Sequence, residues 1–172
     1  MITFKPHIRD DVPLRVRCLN DYLIVLYVLD QPSDPTTEEL QNKWFDTYED
    51  KFKSGRKKFF TIFSDGTSIG FMGLSNMNRE VGSASIFILL CSDEYRKRGI
   101  GRQSMDYLID YSFNGLGLKS LYLEVDRENI VAINLYDRLG FQRIGDDGRF
   151  ILMTLSRPIS LPVVSFMIPS LV

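Results

Sequence analysis

A chain of 172 residues has the length of one ordinary domain and can bury a full core without cross-links or metals to hold it. With 44% hydrophobic and 25% charged residues the composition excludes wholesale disorder, and a formal net charge of −1 supplies no broad basic field for wrapping nucleic acid. The start, MITFKPHIRDDV, lacks the apolar core of a signal peptide and no apolar run is long enough for a bilayer, so the expectation is a cytoplasmic protein with neither a nucleic-acid nor a membrane partner.

ITFKPHI is strand-like, and its His7, the only histidine, has no local partner and receives no chemical role. Residues 10–29 carry Val12, Leu14, Val16, Leu19, Leu23, Leu26 and Leu29 at a loose helical period; a helix is predicted, its second half reading equally as a buried strand. Cys18 in that stretch and the distant Cys91 show no metal-type spacing. They are expected to be small buried apolar residues rather than a bridge or ligands, as suits a reducing compartment. After Pro35, Thr36 stands three residues before Glu39, the spacing at which each side chain satisfies a backbone N–H at a helix start. The predicted helix has Leu40, Trp44, Tyr48 and Phe52 as one apolar stripe, Trp44 being read as core, and stops at Ser54-Gly55.

The period then changes from helix to strand. KKFFTIFS and TSIGFMGLS form a predicted antiparallel hairpin through Asp65-Gly66, a pair that tolerates left-handed backbone angles. SASIFILLC is almost wholly apolar and reads as a central strand buried on both faces. Residues 99–114 place Gly101, Met105, Leu108, Ile109 and Ser112 on one helical face. LYLEV is a strand, and a short helix over 129–139 has Ala132, Leu135, Tyr136 and Leu139 in register. A strand, helix, strand, helix order implies parallel pairing. FQRIG and GRFILMTLS form a last hairpin around Asp146-Asp147-Gly148, so the class is α/β with a mixed sheet. The domain is expected to fill residues 1–156. Residues 157–172, RPISLPVVSFMIPSLV, with three prolines and no charge after Arg157, form an apolar tail that suits neither a central strand nor a regular helix.

Two segments carry chemistry. Between the central strand and the next helix lies Arg96-Lys97-Arg98-Gly99-Ile100-Gly101-Arg102. Glycines at a helix start cost up to ~1 kcal/mol each against alanine, and the usual return is close approach of the backbone to a ligand. Free N–H groups, the positive helix end and neighbouring guanidinium groups suit a pyrophosphate, while a solvated basic turn is the plain alternative. The third glycine of a dinucleotide fingerprint is missing, and no nucleoside-triphosphate loop occurs anywhere. The second segment is ENIVAINLYDRLGF over 128–141, where Asn129 opens a helix that ends at Gly140-Phe141.

Taken together, these segments resemble the GNAT superfamily of N-acetyltransferases, whose [RQ]-x-x-G-x-[GA] motif follows the fourth strand and whose N-x(2)-A-x(3)-Y-x(2)-x-G-F motif follows the fifth. The likeness runs over about residues 58–156. LNDYL before the PTTEELQNKWF helix looks like the branch that holds ribosomal-protein alanine and spermidine N-acetyltransferases. The resemblance implies a single domain with about six to seven strands in a mixed sheet flanked by about four helices. It implies acetyl-CoA as co-substrate, no metal, and direct transfer of acetyl to a primary amine, either a peptide amino terminus or a small amine.

By position, the pyrophosphate loop of the family falls on Arg96, Lys97, Arg98, Gly99, Ile100, Gly101 and Arg102. The pantetheine arm falls against the backbone of Leu89, Leu90 and Cys91, with the amide of Leu90 or Cys91 polarising the thioester carbonyl. Asn129 matches the asparagine that bonds the coenzyme arm, and is also a plain helix cap. Tyr136 matches the tyrosine that protonates the departing thiolate. Arg138 is a candidate for the ribose 3′-phosphate of the coenzyme, with an ordinary surface arginine as the alternative. The glutamate that relatives commonly show on the fourth strand is missing from Ala84-Ser85-Ile86-Phe87-Ile88, which leaves Glu124, favoured, and Glu80 as candidate bases. That departure also leaves open a coenzyme A-binding module without catalysis, and the tail leaves open docking on a partner or a second copy in a homodimer.

Overall fold

The computed structural model describes residues 1–28 and 34–158. Seven strands form one mixed sheet in the order β1-β2-β3-β4-β5-β7-β6. They are β1 Ile2–Pro6, β2 Lys58–Ser64, β3 Thr67–Asn78, β4 Ser83–Leu90, β5 Ser120–Asp126, β6 Gln142–Asp146 and β7 Phe150–Ser156. Among the described residues five α-helices accompany them, α1 Val12–Leu19, α2 Tyr22–Val28, α3 Glu38–Lys53, α4 Ile100–Asp110 and α5 Ile130–Leu139, against about four expected. Both hairpin turns fall where the sequence put them, Asp65 and Gly66 having φ of 49° and 86°. The residues of the predicted tail from 159 onward lie outside the described residues. Among the described residues no helix is long and apolar enough to cross a membrane.

Strand alternation divides the core into two layers. Ile62, Met72, Leu74, Ile86, Leu121, Leu123 and Met153 face Ile100, Met105 and Leu108 of α4 and Ile133 and Tyr136 of α5. On the other face, Phe59, Phe71, Phe87 and Leu89 meet Leu14 and Cys18 of α1, Ile24 of α2 and Phe45 and Tyr48 of α3. β4 stands at the centre of the sheet, but it alternates between buried and half-buried residues rather than burying both faces throughout.

Three local expectations are corrected. The helix predicted over 10–29 is two helices, because Asp21 Oδ1 accepts the N–H groups of Leu23 and Ile24 and starts a new helix. Thr37, not Thr36, caps α3 by accepting from Leu40 N; the Thr36 hydroxyl instead accepts from Gln41. The buried stripe of α3 is accordingly Gln41, Phe45 and Tyr48, with Leu40 and Phe52 exposed. Trp44 roofs a buried cation: the Arg15 guanidinium lies 3.6 Å from its ring and donates to Gln41 Oε1 at 2.8 Å. Burial holds that guanidinium down at about 10.

The two cysteines are buried as expected, but they are not independent. Cys18 of α1 and Cys91, which follows β4, form a disulfide across 73 residues, their Cα atoms 4.4 Å apart. Sequence separation concealed the pairing, since only the docking of α1 on the sheet brings the two together.

Candidate active site

The sheet is split at its centre. β4 pairs with β5 only through Ser83 with Ser120, Ala84 with Leu121 and Ser85 with Tyr122. Beyond that point β4 follows β3 as far as Leu90, and β5 follows β7 as far as Asp126. Among the described residues the inner edges of Ile86–Leu90 and Leu123–Asp126 have no ladder partner, a fork whose backbone can receive an extended ligand as an added strand. Cys91 N donates to Ile69 O at 3.0 Å, and in an antiparallel ladder directly opposed residues alternate between bonding one another and facing away. Leu90, opposite Gly70, therefore turns its N–H into the fork, while that of Cys91 is already used. Of the two amides left open by the sequence, Leu90 is the one available. A Cβ at Gly70 would fall on the Leu89 carbonyl oxygen and within 3.2 Å of Leu90 Cα, so only glycine allows β3 to support this strand end so closely.

From the fork the chain passes through a short 3₁₀ turn, Asp93–Tyr95, into the basic loop. Lys97 and Gly99 adopt φ of 60° and 77°, and Gly99 is the N-cap of α4. No side chain caps α4, and the space over Gly99 where a Cβ would stand is open. The first N–H groups of an eleven-residue helix thus face an open cradle flanked by exposed Lys97 and Arg98, which fits a pyrophosphate. Gly101 has a different reason: its missing Cβ lies 3.4 Å from Leu135 Cδ2, where α4 meets α5. The Arg96 side chain turns inward, donating to Asp21 Oδ1 at 3.0 Å and Leu90 O at 3.1 Å and pairing with Asp93. Arg102 is held by Asp106 and donates to the Arg138 carbonyl at 3.3 Å. These two arginines therefore shape the loop with their side chains and offer it their backbone.

On the β5 side, Asn129 Oδ1 accepts Ala132 N at 3.1 Å and opens α5. Tyr136, about two turns further on, is 7% exposed, with its ring 5.7 Å from that of Phe141. Burial pushes its hydroxyl up to about 12, so it stays protonated throughout the physiological range. One residue here escaped the sequence reading. Asp126, 7% exposed, accepts Glu128 N on Oδ1 at 2.8 Å and Asn129 N on its backbone oxygen at 2.9 Å, and its Oδ2 faces Arg149 Nε at 3.3 Å. It ties the turn that presents Asn129 to the β6–β7 hairpin. The aspartate three residues before a helix-capping asparagine was the available signal.

The candidate bases separate. Glu124 is exposed on β5 and, by alternation with buried Leu123 and Val125, faces the α1–α3 side of the fork. Glu80 lies in the β3–β4 turn, before β4 begins, and is thus about 23 Å of strand from Leu90. That distance removes it as a base. His7 is 4% exposed, bonds Thr61 Oγ1 at 2.7 Å and is structural.

Residues 25–141 match the acetyltransferase (GNAT) family. The spermidine N(1)-acetyltransferase of Escherichia coli (strain K12) is 28% identical over 145 residues, 84% of this chain and 75% of the relative. The [ribosomal protein bS18]-alanine N-acetyltransferase of the same strain is 33% identical over 86 residues, 45% of this chain and 57% of the relative. Among solved structures, the spermidine N-acetyltransferase of Vibrio cholerae in complex with CoA and spermine superposes with a TM-score of 0.77 at 23% identity, covering 90% of this chain and 95% of that one.

Proposed function

Since the chain belongs to the GNAT acetyltransferase family and is an acetyl-CoA-dependent N-acetyltransferase, we propose that its acceptor is a small polycationic amine of the polyamine class, acetylated by direct attack on the thioester within the β4–β5 fork. The observation that carries the reading is the fork itself, with the Leu90 amide turned into it, the coenzyme helices on one face and exposed Glu124 on the other. Relatives named for spermidine align over most of the chain, whereas those named for alanine acetylation align over less than half of it.

Acetyl-CoA supplies the activated acetyl group; this chain's residues bind it and manage protons. The backbone N–H groups of residues 98–102, with Gly99 at the cradle, hold the pyrophosphate, and Lys97 and Arg98 add attraction. The free edge of β4 at Leu89 and Leu90 aligns the pantetheine arm, assisted by Asn129, while Arg138 serves the 3′-phosphate. The Leu90 N–H stabilises negative charge growing on the thioester oxygen. Glu124 takes a proton from the incoming ammonium group through water, and the Tyr136 hydroxyl gives one to the departing sulfur.

Calorimetric titration of acetyl-CoA, followed by thiol release with spermidine, an alanine-terminated peptide and no acceptor, tests the reading. The expected result is tight coenzyme binding and release that depends on spermidine. Release with the peptide alone would replace the polyamine acceptor by a protein amino terminus, and absence of coenzyme binding would overturn the site.

A further inference from the structure

The only two cysteines in the chain meet each other beside the fork, at a joint that the catalytic reading leaves without a role. Cys91 directly follows Leu90, whose N–H faces the fork, and Cys18 is the penultimate residue of α1. Two further contacts run in parallel with the disulfide. Three residues after Cys18, Asp21 Oδ1 accepts from Arg96, and the same guanidinium nitrogen donates to the Leu90 carbonyl. The helix pair on the acceptor side, the strand end that aligns the coenzyme and the start of the basic loop thus form one mechanical unit, with the cystine at its centre.

We propose that the Cys18–Cys91 pair is a thiol–disulfide switch that sets the affinity for acetyl-CoA by holding or releasing the end of β4 against α1. The inference rests on the reading that Leu89 and Leu90 receive the coenzyme arm. A Cα–Cα separation of 4.4 Å lies at the near end of the span that a disulfide bridges. Bonded sulfurs stand about 2 Å apart, whereas unbonded heavy atoms settle at about 3.5–4.0 Å, so reduction demands roughly 1.5 Å of additional room between α1 and the strand end. Both cysteines are almost fully buried and cluster with Leu14, Ile24, Phe71 and Leu89, so on that packed side the displacement is passed to the neighbouring backbone. It passes to Leu90 directly through the chain and again through Asp21 and Arg96.

The pair is also reachable. A cleft of about 270 Å³ between α1 and the strand end is lined by Cys91 together with Arg17, Ser92 and Tyr95. A small thiol such as glutathione enters from this side, where Arg17 attracts its thiolate and Glu94, on the same lining, opposes it. It attacks the Cys91 sulfur and breaks the S–S bond, releasing Cys18 as thiolate, which takes up a proton. A second glutathione thiolate attacks the glutathione sulfur of the mixed disulfide and frees Cys91, which is protonated in turn. One protein disulfide and two small thiols become two protein thiols and one small disulfide; oxidised glutathione drives the reverse.

The test equilibrates the full chain with glutathione buffers of graded potential, counts protein thiols by mass spectrometry after alkylation, and measures acetyl-CoA affinity by calorimetry in the fully oxidised and fully reduced states. Cys18→Ser, which leaves the fork residues in place and cannot form the bridge, is the control, compared only where mass spectrometry shows Cys91 free of glutathione. The expected result is about fivefold or more tighter binding by the oxidised form, an effect of ordinary allosteric size. The difference should reverse on reoxidation and vanish in Cys18→Ser. Equal affinity in both states, or a difference that persists in Cys18→Ser, overturns the switch and leaves the coenzyme site standing. Absence of binding in either state overturns both.

Discussion

Replacing Tyr136 by phenylalanine separates catalysis from packing within one residue. The ring is 7% exposed and packs beside Phe141, and phenylalanine retains all of that contact. Burial alone holds the hydroxyl at about 12, so at pH 8 only about one molecule in ten thousand lacks the proton. The phenol is therefore an always-loaded donor, whose acid function would be lost only as pH rises through about 12. Without it the departing sulfur carries its charge in an apolar setting. The expected cost is a fall of roughly a hundredfold or more in kcat, about 2.7 kcal/mol or more of barrier. Folding stability should change by no more than about 1 kcal/mol, the net worth of one hydroxyl contact. Steady-state kinetics with saturating acetyl-CoA and spermidine, beside urea unfolding of both proteins, measures the two effects independently. A kcat within about threefold of the parent would remove Tyr136 as the acid, because general-acid contributions begin near a hundredfold. A stability loss of several kcal/mol would refute the packing argument.

Other perturbations probe the scaffold. Burial, with Arg15 adding to it, holds His7 down at about 3, so the folded chain keeps the ring neutral while the unfolded chain protonates it below about 6.5. Stability is therefore lost as pH falls from 6.5 towards 3, by up to about 2 kcal/mol at pH 5 relative to pH 8. Asp11, 3.4 Å from Nδ1, opposes the shift, so this figure is the upper bound. Urea midpoints for His7→Gln should depend less on pH than those of the parent; an unchanged slope would sink the assignment. Gly70→Ala drives a methyl group into the Leu89 carbonyl and should cost about 1–3 kcal/mol or more of stability and weaken acetyl-CoA binding, whereas unchanged calorimetry would mean the strand end is not where the coenzyme lies. Asn129→Ala removes the cap on Ala132 N at about 1 kcal/mol of stability and should raise the KM for acetyl-CoA; a stability loss with KM unmoved would leave Asn129 as a cap alone.

Much of the molecule was legible because its signals are local. Asp65-Gly66 turns a hairpin through its own backbone preferences, and Gly99 opens α4 with a left-handed φ that few other residues adopt readily. The order of periodic segments implied the mixed sheet, and the two motifs after β4 and β5 converge on one fork because each begins at the carboxyl end of one of its arms.

What the residues could not announce depends on neighbours distant in sequence. A helical period tolerates a small rotation, so the buried face of α3 was decided by Arg15 and Phe59 packing against it rather than by the Leu40–Phe52 spacing. The sequence favoured Glu124 over Glu80 without separating them by distance; strand length and direction put Glu80 at the far end of β4 and Glu124 beside the fork. Leu90 and Cys91 differ as amide donors only because the β3 ladder engages Cys91 N with Ile69 O. The disulfide across 73 residues is the strongest case, for two cysteines carry no information about each other until α1 docks on the sheet. Local backbone preference and hydrophobic period are written residue by residue, whereas register, distance and pairing come into being only when the sheet closes around its core.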